Sequence, residues 1–282
     1  MPAFATDSLP AAQAEADAPA GVHPEREAVP RRLLGAAACG WSAAALALAA
    51  LGILALGYWT DADLLLADLL YDRASASFPW REAWLTLSFG HTFLKAVLTA
   101  LAVLFIGAAL ADALWPQAPL DRHYARLRLR VIAWAAVLVP LVTSLLKQTS
   151  NAYCPWDLAR YGGAAPHLRL FASLPPGVLP GHCLPAGHAS SALWLVSLVV
   201  LWLPGPPRRA LRALGLCLLP GLALGWMQQM RGAHFLSHTL WSAWIACAIV
   251  AALVALLQGG EARPASGGIS RRFQAGIRCR AR

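Results

Sequence analysis

Six long apolar blocks, separated by polar or Pro- and Gly-rich stretches, divide the chain. They run approximately over 33–57, 93–115, 129–147, 187–204, 210–230 and 235–257. Each has the roughly 17–25 residues that a helix needs to cross about 30 Å of hydrocarbon. Pro140 and Pro220 fall inside the third and fifth blocks, where a membrane helix tolerates proline better than a soluble one. Between the first two blocks, DADLLLADLLYD places its Leu and Ala residues as an amphipathic helix lying along the interface would. FPWREAWL follows, with Trp80 and Trp84 as interfacial anchors. The pattern predicts an all-α polytopic bundle of six transmembrane helices.

Composition agrees with this pattern. Hydrophobic residues make up 58% of the chain and charged residues 13%, about half the charged fraction of an ordinary soluble domain. The net charge of +9 raises nucleic acid as a partner, but the placement of the charges gives a better account. With the N-terminus on the cytoplasmic side, sixteen of the 23 Lys and Arg residues fall on inner segments and seven on outer ones. That is the positive-inside bias, and it puts both termini inside. No basic patch with interleaved aromatics suggests nucleic-acid binding.

The expected organisation is a disordered cytoplasmic tail over 1–30, a membrane domain over 31–258 and a basic cytoplasmic tail over 259–282. The first 30 residues lack the positively charged start of a secretory signal. Cys154 and Cys183 both fall in the long outer loop, where they either pair as a disulfide or remain free. Six of the eight histidines, at 91, 167, 182, 188, 234 and 238, lie on the outer side. Such clustering suggests a site at the outer membrane boundary.

Three motifs supply the chemistry, each at the outer end of an apolar block: KQTSNAYCPWDLARYGG from Lys147, LPAGHASSA around Gly187 and His188, and MRGAHFLSHTLW from Met230 to Trp241. Lys147 and Arg231 are fixed cations. His188 and Gly187 open a helix whose free N–H groups suit an anion. His234 and His238 are spaced i, i+4 and share a helix face. Together these make an anion pocket with imidazoles beside it, and phosphate is the natural anion. One imidazole can attack phosphorus while another protonates the leaving alkoxide. Cations and N–H groups stabilise the equatorial oxygens. This chemistry requires no metal or other cofactor.

These motifs, in this order, resemble the type 2 phosphatidic acid phosphatase (PAP2) superfamily, whose pattern is Lys-x6-Arg-Pro, Pro-Ser-Gly-His and Ser-Arg-x5-His-x3-Asp. The matching positions here are Lys147 with Cys154-Pro155, Pro185-Ala186-Gly187-His188, and His234 with His238. CPWDLARYGG and GAHFLSHTLW look like a bacterial subgroup of membrane-associated lipid phosphatases. The resemblance implies a six-span enzyme in the bacterial inner membrane, with its site facing the periplasm. It also implies His234 as nucleophile, His188 as general acid and Lys147 as a phosphate ligand. A phosphorylated envelope lipid would be the substrate: phosphatidic acid, undecaprenyl diphosphate or lipid A.

The chain departs from the family pattern at four positions. Cys154 stands for the first arginine, and Arg160 is the expected substitute. Ala186 replaces a serine but keeps its backbone N–H as a phosphate donor. Gln228 stands where an arginine is expected, and Arg231, one turn closer to His234, is expected to serve the same phosphate. His238 occupies the aspartate position, where a neutral imidazole accepts a hydrogen bond but brings no negative charge.

Other readings are a lipid phosphotransferase using the same site, or a catalytically weakened lipid-binding or transport protein. A zinc site built from His182, Cys183, His188, His234 and His238 would lack the glutamate of HExxH and stand beside repelling cations.

Overall fold

The computed structural model describes residues 32–116, 124–170 and 172–260. The tail expected over 1–30 lies outside the described residues, as does that expected over 259–282 apart from Gly259 and Gly260, which end the last helix. Among those residues the regular structure is helical, with no β-sheet. The helices are α1 (Ala36–Trp59), α2 (Ala62–Leu70), α3 (Leu94–Leu114), α4 (Ala125–Gln148), α5 (Gly187–Leu193), α6 (Pro207–Met230) and α7 (Leu236–Gly260).

Five helices have the length and apolarity to cross a membrane: α1, α3 with its leading turn, α4, α6 and α7. Pro140 and Pro220 sit inside unbroken α4 and α6. Two elements differ from the sequence expectation. A π-helical stretch, Leu85–Phe93, runs directly into α3. The second span therefore begins at Leu85 rather than 93. The fourth expected span has fewer residues: α5 passes into a 3-10 helix that ends at Trp202. Its side chains explain why this is tolerated: Ala189, Ala192, Leu193, Trp194, Val196 and Val200 are all at most 1% exposed. A helix enclosed by protein need not satisfy lipid along its full length.

The core surrounds this enclosed helix. Val131, Ala135 and Val139 of α4 and Ala246, Val250 and Val254 of α7 pack in the same cluster. By contrast α1 and α3 leave Trp41, Leu48, Leu51, Val103, Leu104 and Leu110 exposed, a surface suited to acyl chains. Two glycines set how closely the inner helices approach. A Cβ on Gly221 would lie 2.3 Å from Leu193, and one on Gly225 would lie 2.2 Å from the Thr239 methyl group. Only glycine allows α6 to press against α5 and α7 at these points.

Hydrogen bonds tie the two ends of the bundle separately. At one end Arg128 donates to the Leu203 carbonyl (2.6 Å), and Gln258 exchanges two bonds with the Leu34 backbone. At the other, Trp156 N–H donates to Gly232 O (3.0 Å) and Ala186 N–H to His238 O (3.2 Å). The short helix α2 lies over this second end. Tyr71, Phe78, Tyr161 and Phe235 join it in a small apolar cluster, and the Ser237 N–H donates to Asp63 of α2 (2.8 Å).

Candidate active site

The three motifs meet at the α2-covered end. Lys147 lies in the last turn of α4, Gly187 begins α5, and Arg231–Phe235 form the link from α6 to α7. The link turns at Gly232, whose φ of +73° is a left-handed conformation that favours glycine. A Cβ there would also strike the Phe78 ring at 2.4 Å. The turn delivers His234 just before the first turn of α7 and His238 within it.

Both imidazoles are buried, at 3% exposure each. Their Nδ1 atoms stand 3.4 Å apart, so one nitrogen carries the proton and the other accepts it. The Phe235 ring meets His238 edge-on, with centroids 5.4 Å apart. Cys183 is bridged to Cys154, and its sulfur lies 3.5 Å from His234 Nδ1. The disulfide thus takes the Cys183 sulfur out of the zinc alternative and makes it part of the wall beside His234.

Burial holds the His234 imidazole well below the ordinary histidine pKa, and the positive potentials of His238, Lys147 and His188 add to the effect. His234 is therefore a neutral base at physiological pH. Lys147 and His188 act on it through space, so the structure places four of the expected residues, Lys147, His188, His234 and His238, in one electrostatic neighbourhood. Gly187 has no atom within 4 Å of where a Cβ would stand, so the space beside it is open.

Three of the expected phosphate contacts have other partners. The Arg231 guanidinium donates from Nε to the Arg81 carbonyl (2.9 Å) and from Nη1 to Gln228 Oε1 (3.2 Å). Arg160 is forked onto Asp68 of α2, with Nε at 2.9 Å, and Tyr161 shares that carboxylate. The Arg160 guanidinium, expected to replace the missing arginine, is thus paired with a carboxylate of α2. The Ala186 N–H is donated to the His238 carbonyl, and the residue is fully buried.

Asp63, not singled out from the sequence, and Gln228, noted there only in place of an arginine, support the site. Asp63 accepts both the N–H and the hydroxyl of Ser237, fixing the first turn of α7 between the two histidines. Burial raises the Asp63 carboxyl pKa against the lowering effect of those Ser237 bonds. Gln228, at 1% exposure, is the brace for Arg231. Asp63 had a sequence signal, an acid at the start of the apolar run in DADLLLADLLYD.

Residues 128–260 match the family model of the PAP2 superfamily, a segment that includes Lys147, His188, Arg231, His234 and His238. No curated protein and no solved structure matches the chain.

Proposed function

Because the chain belongs to the PAP2 superfamily through residues 128–260, whose members are phosphatases acting on phosphate esters, we propose that this multi-pass membrane protein hydrolyses a lipid phosphate monoester or diphosphate through a phosphohistidine on His234. The observation that carries the reading is the buried His234–His238 pair beside Lys147 and His188.

The steps follow from the proton inventory. His234 carries its proton on Nδ1 and donates it to Nδ1 of His238, which leaves the Nε2 lone pair for phosphorus. As Nε2 forms its bond to phosphorus, the bond to the leaving oxygen breaks and His188 supplies that oxygen's proton. In the second half His188 takes a proton from water. The resulting hydroxide attacks phosphorus, and the P–N bond breaks to release phosphate and neutral His234. Lys147 offsets charge on the transferring group. The mechanism uses no metal. His238 does the orienting work of an aspartate without its charge, and burial rather than a carboxylate keeps His234 nucleophilic.

The site is proposed to face the outer side of a bacterial cytoplasmic membrane, on the charge asymmetry of the sequence. Phosphate trapped by acid quench on His234, and lost in His234→Ala together with all turnover, is the expected result. Normal turnover in purified His234→Ala would refute the mechanism. Transfer of the phosphate to a lipid alcohol rather than water is the second reading, read out by the same trapped species.

A further inference from the structure

We propose that Cys154, Cys183 and His234 become a thiophilic metal site when their disulfide is reduced, and that a zinc ion bound there switches the nucleophile off. The site itself is independent of the phosphatase reading; its inhibitory effect rests on the phosphohistidine mechanism above.

The two sulfur atoms and a ring nitrogen of His234 all lie within 4.8 Å of one another. Cys183 Sγ stands 3.5 Å from His234 Nδ1. Zinc holds a thiolate sulfur at about 2.3 Å and an imidazole nitrogen at about 2.0–2.1 Å. Around a tetrahedral ion those bonds set neighbouring sulfur and nitrogen donors about 3.5 Å apart, which is the spacing found here. Two thiolates and one imidazole are ligands that zinc favours, with the fourth position left to water. Cys183 and His234 are buried and Cys154 is partly exposed, so the way in for an ion is past Cys154.

Backbone bonds hold the donors together without the covalent link. Cys183 N–H donates to Ala152 O (2.9 Å), His182 N–H to Ser150 O (3.1 Å) and Asp157 N–H to Cys154 O (3.0 Å). Trp156 N–H ties the same loop to Gly232 O, beside His234. A Cβ on Gly181 would lie 2.6 Å from Ala152 O, so the two cysteine segments pack backbone against backbone. The zinc alternative considered from the sequence had one cysteine facing fixed cations. Reduction supplies a second thiolate, and the pair offsets the repulsion from Lys147.

A dithiol reductant passes two electrons and two protons to the disulfide, is itself oxidised to a disulfide, and leaves two thiols. Zinc then binds both sulfurs and releases the two thiol protons. The ion takes the Nδ1 lone pair of neutral His234, so the ring proton sits on Nε2. Nε2 is the atom that attacks phosphorus in the mechanism above, and it then has no lone pair to do so. His234 also gives up its contact with Nδ1 of His238. Turnover is thereby tied to the thiol state of the compartment that the outer loop faces.

The test uses full-length protein in detergent, oxidised, or reduced with dithiothreitol and then freed of reductant under argon. Co²⁺ reports thiolate ligation through a sulfur-to-metal charge-transfer absorption. Reduced protein should gain that absorption and oxidised protein should not. Cys39, Cys217 and Cys247 are free in both states, so a gain on reduction belongs to the bridged pair. Cys183→Ser should abolish it. His234→Ala should weaken cobalt binding at least ~10-fold, the least that losing even an outer partner costs a metal site. Stoichiometric Zn²⁺ should raise the thermal midpoint of the reduced protein. It should also lower turnover of p-nitrophenyl phosphate at least ~10-fold, and a chelator should reverse both effects. No absorption, or the same absorption in both states, overturns the site. If the reduced chain loses its fold, zinc should restore it, and failure to do so overturns the site as well. Cobalt or zinc bound with undiminished turnover overturns the switch. Oxidised protein that turns over no phosphate ester would instead sink the phosphatase reading and the switch with it, while the cobalt absorption still decides the site.

Discussion

His234 and His238 face each other through the same ring nitrogen, Nδ1 to Nδ1 at 3.4 Å. A neutral imidazole has one donor and one acceptor nitrogen, so this contact fixes opposite tautomers on the two rings. His238→Ala should lower kcat about 10- to 100-fold, as loss of an orienting partner does, with KM little changed. His238→Asp should keep activity, because a carboxylate accepts the same proton. Steady-state kinetics of the two variants decides it; equal activity in His238→Ala and wild type would remove His238 from the mechanism.

Protonation of His234 offers a direct check. Its pKa is depressed, so the neutral form persists as pH falls through the ordinary histidine range of about 6.5. Histidine-labelled ¹⁵N NMR of the detergent-solubilised protein should show a His234 ring still neutral at pH 6. Removing Lys147 as Lys147→Met should move the transition upward, because a positive neighbour has gone. A ring titrating near pH 6.5 in the wild type would contradict its burial.

Two glycines of the site should behave oppositely. Gly232→Ala forces a side chain into a left-handed φ and into the Phe78 ring, and should cost about 1–3 kcal/mol of stability. Gly187→Ala meets open space. It should leave the thermal midpoint alone and weaken inhibition by vanadate, a phosphate mimic. Thermal unfolding and inhibition curves measured side by side separate the two effects.

The disulfide should matter to fold and site together. Cys154→Ser, or reduction in vitro, opens a link across 29 residues of chain, worth about 2–4 kcal/mol. It also frees the sulfur that lies against His234. The thermal midpoint and the turnover rate should fall together in a reductant titration.

Arg160 and Arg231 give a contrast. Arg160 forms a solvent-screened pair with Asp68, so Arg160→Ala should leave the thermal midpoint nearly unchanged and KM unchanged. Arg231→Ala should raise KM strongly if its guanidinium leaves Gln228 for the phosphate of a bound substrate. Unchanged KM would assign Arg231 to structure.

The apolar blocks and three motifs made the bundle and the meeting of Lys147, His188, His234 and His238 readable from the chain, because helix length and the i, i+4 rule are local. What escaped reading was non-local. Arg160 finds Asp68 across 92 positions, Arg231 finds the Arg81 carbonyl across 150, and Ser237 finds Asp63 across 174. No spacing announces such partners. The Ala186 N–H is another such case: nothing in its spacing shows that the α7 carbonyl of His238 lies beside it. The fourth span looked full-length because its composition is apolar, and composition alone does not separate a lipid-facing helix from one enclosed by protein.

Gly225 carries no chemistry, yet its missing side chain sets the clearance between α6 and α7 beside the histidine pair. Thr239, the residue it touches, directly follows His238 in the chain and accepts the Gln229 amide (3.1 Å). The placement of the two rings thus depends on a clearance between α6 and α7, and a single methyl group at Gly225 would shift them without touching either imidazole.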